Sequence, residues 1–220
     1  MTATEVAHFQ VIGAILAGGR SHRMGRRKAD IPLGDGRPII AHVIAQMKSV
    51  CPDMVIVGGP PVSIEGVRHL PDTVSGLGPL GGLHTLLGSG LADAYLVAAC
   101  DQPFLEPSIF HLLLAGDPAV AHLFLPIRHR PIDPFPGYYP ATLLSEALKN
   151  TENTEAWPQR ARSMQRFIQM IPVTWVPLPA SLRPCIKSLN TPEDFAEHIP
   201  PICPDGLPTA SALARPAIPK

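Results

Sequence analysis

The apolar run Val11–Ala17 stops at Gly18-Gly19 and gives way to a loop, Arg20-Ser21-His22-Arg23-Met24-Gly25-Arg26-Arg27-Lys28, crowded with positive charge. A short continuous apolar run ended by glycines is the pattern of a strand buried on both faces, which belongs in a parallel sheet covered by helices. The chain then repeats the theme. Pro38 opens a stretch in which Ile39, Ile40, Val43, Ile44 and Met47 recur at helical spacing until Cys51-Pro52. Met54–Val57 is again apolar, before Gly58-Gly59-Pro60-Pro61. Strand, loop, helix and strand in this order form a βαβ unit with a right-handed crossover.

A short strand at Val67–Leu70 leads through the loop Pro71–Gly82 to a helix carrying Leu83, Leu86 and Leu87. Tyr95–Cys100 reads as another buried strand, ending at Asp101-Gln102-Pro103, and Pro107 opens a helix with Ile109, Phe110, Leu113 and Leu114 on its buried side. This alternation predicts an α/β chain, three layers deep, around a mostly parallel central sheet whose ligands sit beyond the strand C-termini. The part from Ala119 to Pro179 is less regular. It carries a strand at His122–Leu125, a proline-rich stretch at Pro126–Pro140 and helices near Ala141–Leu148 and Ala161–Met170, and is read as a substrate-side subregion. Thr191 is the expected N-cap of a last helix, with Pro192 at its first position and Pro200 closing it. The organisation expected is an N-terminal extension at 1–10, one domain at 11–199, and a proline-rich disordered tail at 200–220.

Equal numbers of acidic and basic side chains, 18 each, leave no global excess to attract nucleic acid, so any cationic function must be local. Cys51, Cys100, Cys185 and Cys203 form no C-x-x-C pair and read as reduced cytosolic thiols. The start of the chain shows no basic leader, and no apolar run is long enough for a membrane span. A cytoplasmic protein is expected.

Polyphosphate is the natural partner of the first loop. Its glycines let backbone N–H groups approach phosphate oxygens, while arginine supplies forked donors and lysine a mobile charge. The loop is neither a Walker A sequence nor G-x-G-x-x-G. Instead Leu16-Ala17-Gly18-Gly19-Arg20-Ser21-His22-Arg23-Met24-Gly25-Arg26-Arg27-Lys28 resembles the L-A-G-G-x-S-x-R-M-G-x-x-K signature of nucleotidyltransferases acting on sugar phosphates, isoprenoids and molybdenum cofactor. Asp72 with Gly78-Pro79-Leu80-Gly81-Gly82, then Asp101-Gln102-Pro103, then Leu189-Asn190-Thr191-Pro192-Glu193-Asp194 narrow the resemblance to the molybdenum cofactor guanylyltransferase family. It runs from about Val11 to Ile199 and implies the three-layer, Rossmann-like nucleotidyltransferase fold. Those enzymes join GMP from GTP to molybdopterin and release pyrophosphate.

The resemblance implies roles residue by residue. Arg23 and Lys28 stabilise the β- and γ-phosphates and the departing pyrophosphate, within a nucleotide loop that includes Leu16, Ala17, Gly18, Gly19 and Gly25. Arg20, Arg26 and Arg27 either assist or simply solubilise the surface. Asp101, directly after a strand, is the expected Mg²⁺ ligand, a hard oxygen donor suited to that ion; the alternative is a turn aspartate. Asp72 contacts guanine or ribose, with Gly78, Pro79, Leu80 and Gly82 beside the base, unless it only shapes a Pro-Asp turn. Gly18 in place of alanine, together with G-P-L-x-G, is the guanine rather than the cytosine pattern. Asn190 helps place metal or acceptor phosphate, and Ser188 stands where the family has a second asparagine. The acceptor region is Arg128–Tyr139, with Arg128, Arg130 and Tyr138 as pterin contacts or loop anchors. Implied partners are GTP, molybdopterin, molybdenum-insertion proteins and molybdoenzyme chaperones, with no nucleic acid and no membrane. Cytidylyl or uridylyl transfer to another phosphorylated acceptor, or a nucleotide sensor without turnover, fits the same first loop.

Overall fold

Alternate residues of the first strand supply two different cores. Ile12, Ala14 and Leu16 point into one and Ile15 into the other, as the period of two along a strand requires when both faces are covered. The computed structural model describes residues 9–18, 27–61, 64–74, 76–126, 131–145, 163–191 and 194–195. The chain order is β1 (Val11–Leu16), α1 (Ile39–Lys48), β2 (Met54–Val57), β3 (Val67–Leu70), α2 (Pro79–Leu87), β4 (Ala94–Ala99), α3 (Pro107–Leu114), β5 (Ala121–Phe124), β6 (Gly137–Pro140), α4 (Met164–Ile168) and β7 (Val173–Val176). The seven strands lie in the order β3-β2-β1-β4-β6-β5-β7. Every pairing is parallel except those of β6, which runs antiparallel to β4 and β5. The fold is therefore the expected three-layer α/β arrangement around a mostly parallel central sheet.

One face packs β1, β2 and β4 against Leu80, Leu83, Leu86 and Leu87 of α2 and Phe167 and Ile168 of α4. The other packs them against Ile40, Val43, Ile44 and Met47 of α1 and Ile109, Phe110 and Leu113 of α3. These are the residues that recur at helical spacing, so the amphipathic stripe and the core are the same set. A third, smaller cluster stands apart: Leu33, Ile39, Leu189 and Phe195, with Ile31 and Phe104 against it. It fastens the segment after Lys28 to the one that carries Asn190.

Two strands depart from the sequence reading. The stretch 126–140, read as a proline-rich connection, ends in β6, inserted between β4 and β5. Tyr138 and Tyr139 are buried there because their hydroxyls find carbonyls, Tyr138 donating to Pro118 O at 3.1 Å and Tyr139 to Pro134 O at 2.6 Å. β7 was not anticipated either; it is a half-exposed edge strand without a continuous apolar run. The helix expected at 141–148 begins with a turn at 141–142 and is helical over 143–145, while 146–148 lie outside the described residues, as do 1–8 and 196–220. Among the described residues, no helix is long and apolar enough to cross a membrane.

Candidate active site

The strand order reverses between β1 and β4, whose neighbouring C-terminal ends release Ala17-Gly18 and Cys100-Asp101 side by side. In open α/β sheets such a switch point leaves a crevice with no connection crossing it. Here it is a cavity of about 270 Å³, lined by Leu16, Ala17, Gly18, Lys28, Pro79 and Asp101 among others. All six were singled out from the sequence.

Lys28 lines this cavity. Its Nζ donates to Asn190 Oδ1 at 2.6 Å and stands 3.4 Å from Asp101 Oδ2, with both charged side chains more than four-fifths covered. Leu189 N donates to Asp101 O at 2.8 Å, which draws the C-terminal segment against the end of β4. Asp194 accepts from the backbone N–H of Asn190 and of Thr191, both at 2.9 Å, and Thr191 Oγ1 accepts from Asp194 N at 3.2 Å. This reciprocal cap makes Thr191 the expected N-cap and fixes the backbone that presents Asn190. The same N–H donors hold the Asp194 carboxyl down at about 2.

Asp101 Oδ1 is buried and has no hydrogen-bond partner among the described residues. A carboxylate oxygen in that position suits a ligand that brings its own positive charge. Nη2 of Arg27 is likewise buried without a partner, while its Nη1 pairs with Asp30 at 3.3 Å. Thus Arg27, read as an assistant at most, turns an unused donor inward beside the same cavity. Cys100 also lines it, but burial first and then the Asp101 charge push its thiol up to about 12. A thiol that stays protonated is no nucleophile.

Asp72 stands at the other side of β1, beyond β3. A Cβ added at Gly18 would lie 2.8 Å from its Oδ2, and one at Gly82 would lie 3.6 Å from its Oδ1. The protein around it raises its carboxyl above the usual range, with His69 opposing that shift. Gly78 precedes α2 with φ +56°, and Pro79 reaches the cavity, whereas the side chain of Leu80 is buried in the core. Gly19, Arg23, Gly25 and Arg130 lie outside the described residues, as do Arg20, Arg26 and Arg128.

A second, larger cavity of about 1200 Å³ contains Ser188 and Asn190 together with Asp133, Arg183 and Lys187 in its lining. Asn190 therefore belongs to this cavity while its amide oxygen holds the lysine of the first. Tyr138, considered for this side, instead stacks on His122 in the core at a ring separation of 5.0 Å. Two residues of consequence escaped the sequence reading. Fully buried Gln102 accepts from Ala99 N at 3.1 Å and donates to Phe135 O at 2.8 Å and Ile186 O at 3.1 Å, so it ties three segments together beneath Asp101. The signal was a long amide directly after a buried strand. Asp133, in a run of prolines, gave none.

A family model described as a MobA-like NTP transferase domain matches residues 13–171. The chain is similar to the probable molybdenum cofactor guanylyltransferase of Pelotomaculum thermopropionicum, at 38% identity over 48% of this chain and 52% of that protein, about half its length. It is similar to the molybdenum cofactor guanylyltransferase of Rhizobium leguminosarum bv. trifolii, at 30% identity over 90% of this chain and 95% of that one. A solved structure, molybdopterin-guanine dinucleotide biosynthesis protein A from Archaeoglobus fulgidus, superposes with a TM-score of 0.65 at 23% identity, covering 86% of this chain and 96% of that one. That likeness concerns the fold.

Proposed function

We propose, because the chain belongs to the MobA-like NTP transferase domain family and is a nucleotidyltransferase, that it transfers GMP from GTP to molybdopterin with release of pyrophosphate. The observation that carries this reading is the Lys28 ammonium, held by Asn190 on one side and Asp101 on the other, at the junction of two cavities. Nucleotide in the smaller cavity and acceptor in the larger would meet there.

The reaction needs the acceptor's terminal phosphate oxygen to attack the α-phosphorus of GTP as the bond from that phosphorus to the bridging oxygen of pyrophosphate breaks. Two anions must be brought into line, so positioning and charge stabilisation supply most of the catalysis. Lys28 and Arg27 offer cations to the triphosphate, and Arg23 joins them in this proposal. Ala17-Gly18 present backbone to the nucleotide, and Asp72 takes the base. Asn190 steadies Lys28 and, with Ser188, faces the acceptor. Nucleotidyltransferases generally work with a divalent metal ion, and Mg²⁺ is the one proposed. The unpartnered Oδ1 of Asp101 fits it, and the ion when bound would neutralise phosphate charge and favour departure of pyrophosphate. A cytoplasmic setting, and exchange of product with molybdenum-insertion proteins and molybdoenzyme chaperones, complete the proposal.

Incubation with Mg²⁺, molybdopterin and each nucleoside triphosphate in turn, following pyrophosphate release, tests it. Release with GTP is expected. Release with CTP alone overturns the guanine assignment, and release with none favours a nucleotide sensor.

A further inference from the structure

We propose that Asp133 reads the acceptor's ring: in the cavity of about 1200 Å³ its carboxylate accepts the adjacent N–H and NH₂ donors of a 2-amino-4-oxopteridine. The inference rests on the acceptor being molybdopterin, and adds to it the residue that distinguishes this heterocycle from others.

Asp133 is the one carboxylate among the described residues lining the cavity, whose other walls include Phe124, Pro126, Pro177 and Leu178. The apolar walls suit a flat ring, and the polar lining, Asp133 with Arg183, Lys187, Ser188 and Asn190, sets its orientation. The carboxylate is mounted rigidly. Its Oδ1 accepts from Phe135 N at 3.2 Å, the Phe135 carbonyl accepts from the buried Gln102 amide at 2.8 Å, and the intervening Pro134 carbonyl accepts from Tyr139. Asp133 Oδ2 accepts no hydrogen bond from the described residues, and Oδ1 keeps a second lone pair. A carboxylate so placed can receive two parallel donors, the arrangement that a cyclic guanidine edge presents. The surrounding protein, helped by the charge of Asp101, pushes this carboxyl up to about 6 against the Phe135 N–H, as expected of an anion short of donors. Despite that crowding the side chain remains open to the cavity.

Guanine and pterin share the same amino-oxo edge, so one enzyme joining them needs to sort two similar rings. Asp72 lies beside Gly18 and Gly58, at the ends of β1 and β2. Asp133 lies between β5 and β6, beside the cavity that Asn190 enters. The two carboxylates thus stand on opposite sides of the switch point, one for each ring.

Fluorescence titration of the full chain with pterin and with lumazine, the 2,4-dioxo analogue lacking the amino group, tests the assignment. The wild-type protein is expected to bind pterin about 10- to 100-fold more tightly than lumazine, the range for losing one charged hydrogen bond in a site built for it. Asp133→Asn, which can donate to the lumazine carbonyl, should bring the two within about threefold of each other. Binding of a fluorescent GTP analogue should be unchanged in that variant, which also shows that it has folded. Asp72→Asn should do the reverse. Equal binding of both pteridines by the wild type, an undiminished preference in Asp133→Asn, or a preference that follows Asp72 instead would each overturn the proposal. Failure of pyrophosphate release with every nucleotide would sink the proposed function while leaving the ring preference as a separate, readable result.

Discussion

A methyl group at Gly18 would stand 2.8 Å from Asp72 Oδ2, and one at Gly58, where φ is +73°, would stand 2.6 Å from the same oxygen. Side-chain space at these positions is therefore occupied by the carboxylate itself. The guanine pattern read at Gly18 gains a physical ground: the glycine admits the Asp72 carboxylate, which the proposed function assigns to the base. Gly18→Ala should raise KM for GTP by about 10-fold or more by displacing a charged acceptor, with little change in KM for CTP. Steady-state kinetics with both nucleotides decide it, and an equal loss for both would mean that the methyl only blocks the pocket. Gly58→Ala adds backbone strain to the same collision, costing about 1–2 kcal/mol from the left-handed conformation, and should lower the melting temperature as well. Lys28 presents a different case, a polar contact across the site made by a largely covered side chain. Lys28→Met should lower kcat by about 10²- to 10³-fold, the usual loss on removing one oriented stabiliser of transition-state charge, while thermal melting moves little. A fall confined to KM would show that Lys28 only holds GTP.

The small cluster of Leu33, Ile39, Leu189 and Phe195 explains why Lys28 and Asn190, 162 residues apart, come within 2.6 Å. It is separate from the two main cores, so it can be weakened without dismantling the sheet. Phe195→Ala should cost about 3 kcal/mol, the low end for a buried phenylalanine. Amide exchange of Leu189–Thr191 should speed up before that of β1, and turnover should fall. Uniform acceleration across β1 would show one cooperative unit instead. The Thr191–Asp194 cap adds a pH dependence to this element. Its carboxyl is held down at about 2, below the usual 3.8, so its contribution is present above about pH 4 and is lost as pH falls through 2. The elements legible in the sequence were those with a strong period. β1, β2 and β4 are covered on both faces and read as unbroken apolar runs, and α1 and α3 each carry one clear stripe. β6 was hidden because its neighbourhood is full of proline and it runs against the others, and β7 because an edge strand has only half a core to face.

Across the molecule, residues 28, 101 and 190 meet while Asp72 stands across β1 beside Gly18, each marked by a local motif, but their separations depend on the sheet order and on the small core. No local pattern carries such distances, which is why the parts could be named from the chain and their arrangement could not. Asp133 lacked even a motif, since its character comes from Gln102 and Phe135 holding a carboxylate at a cavity wall. That placement works against the stability of the whole. Desolvation by the surrounding protein raises the Asp133 carboxyl, though its side chain stays open to the cavity, to about 6 from 3.8, so the folded chain takes up a proton between about pH 4 and 6 that the unfolded chain releases. Stability linked to this group is then greatest below pH 4 and declines as pH rises through 6, the reverse of a salt-bridged aspartate. Asp133→Asn keeps an acceptor for Phe135 N but has no charge to bury. It should therefore be more stable than the wild type at pH 7.5, by about 1 kcal/mol once solvent screening of the open side chain is discounted, and no more stable at pH 4. Because the comparison is between two chains differing at one position, other titrating groups largely cancel. Urea unfolding of both proteins at the two pH values makes the measurement. A variant destabilised equally at both would assign the carboxylate to the turn before β6. A variant stabilised only at the higher pH, yet impaired in pterin binding, would show a charge held at the cavity wall against the stability of the fold.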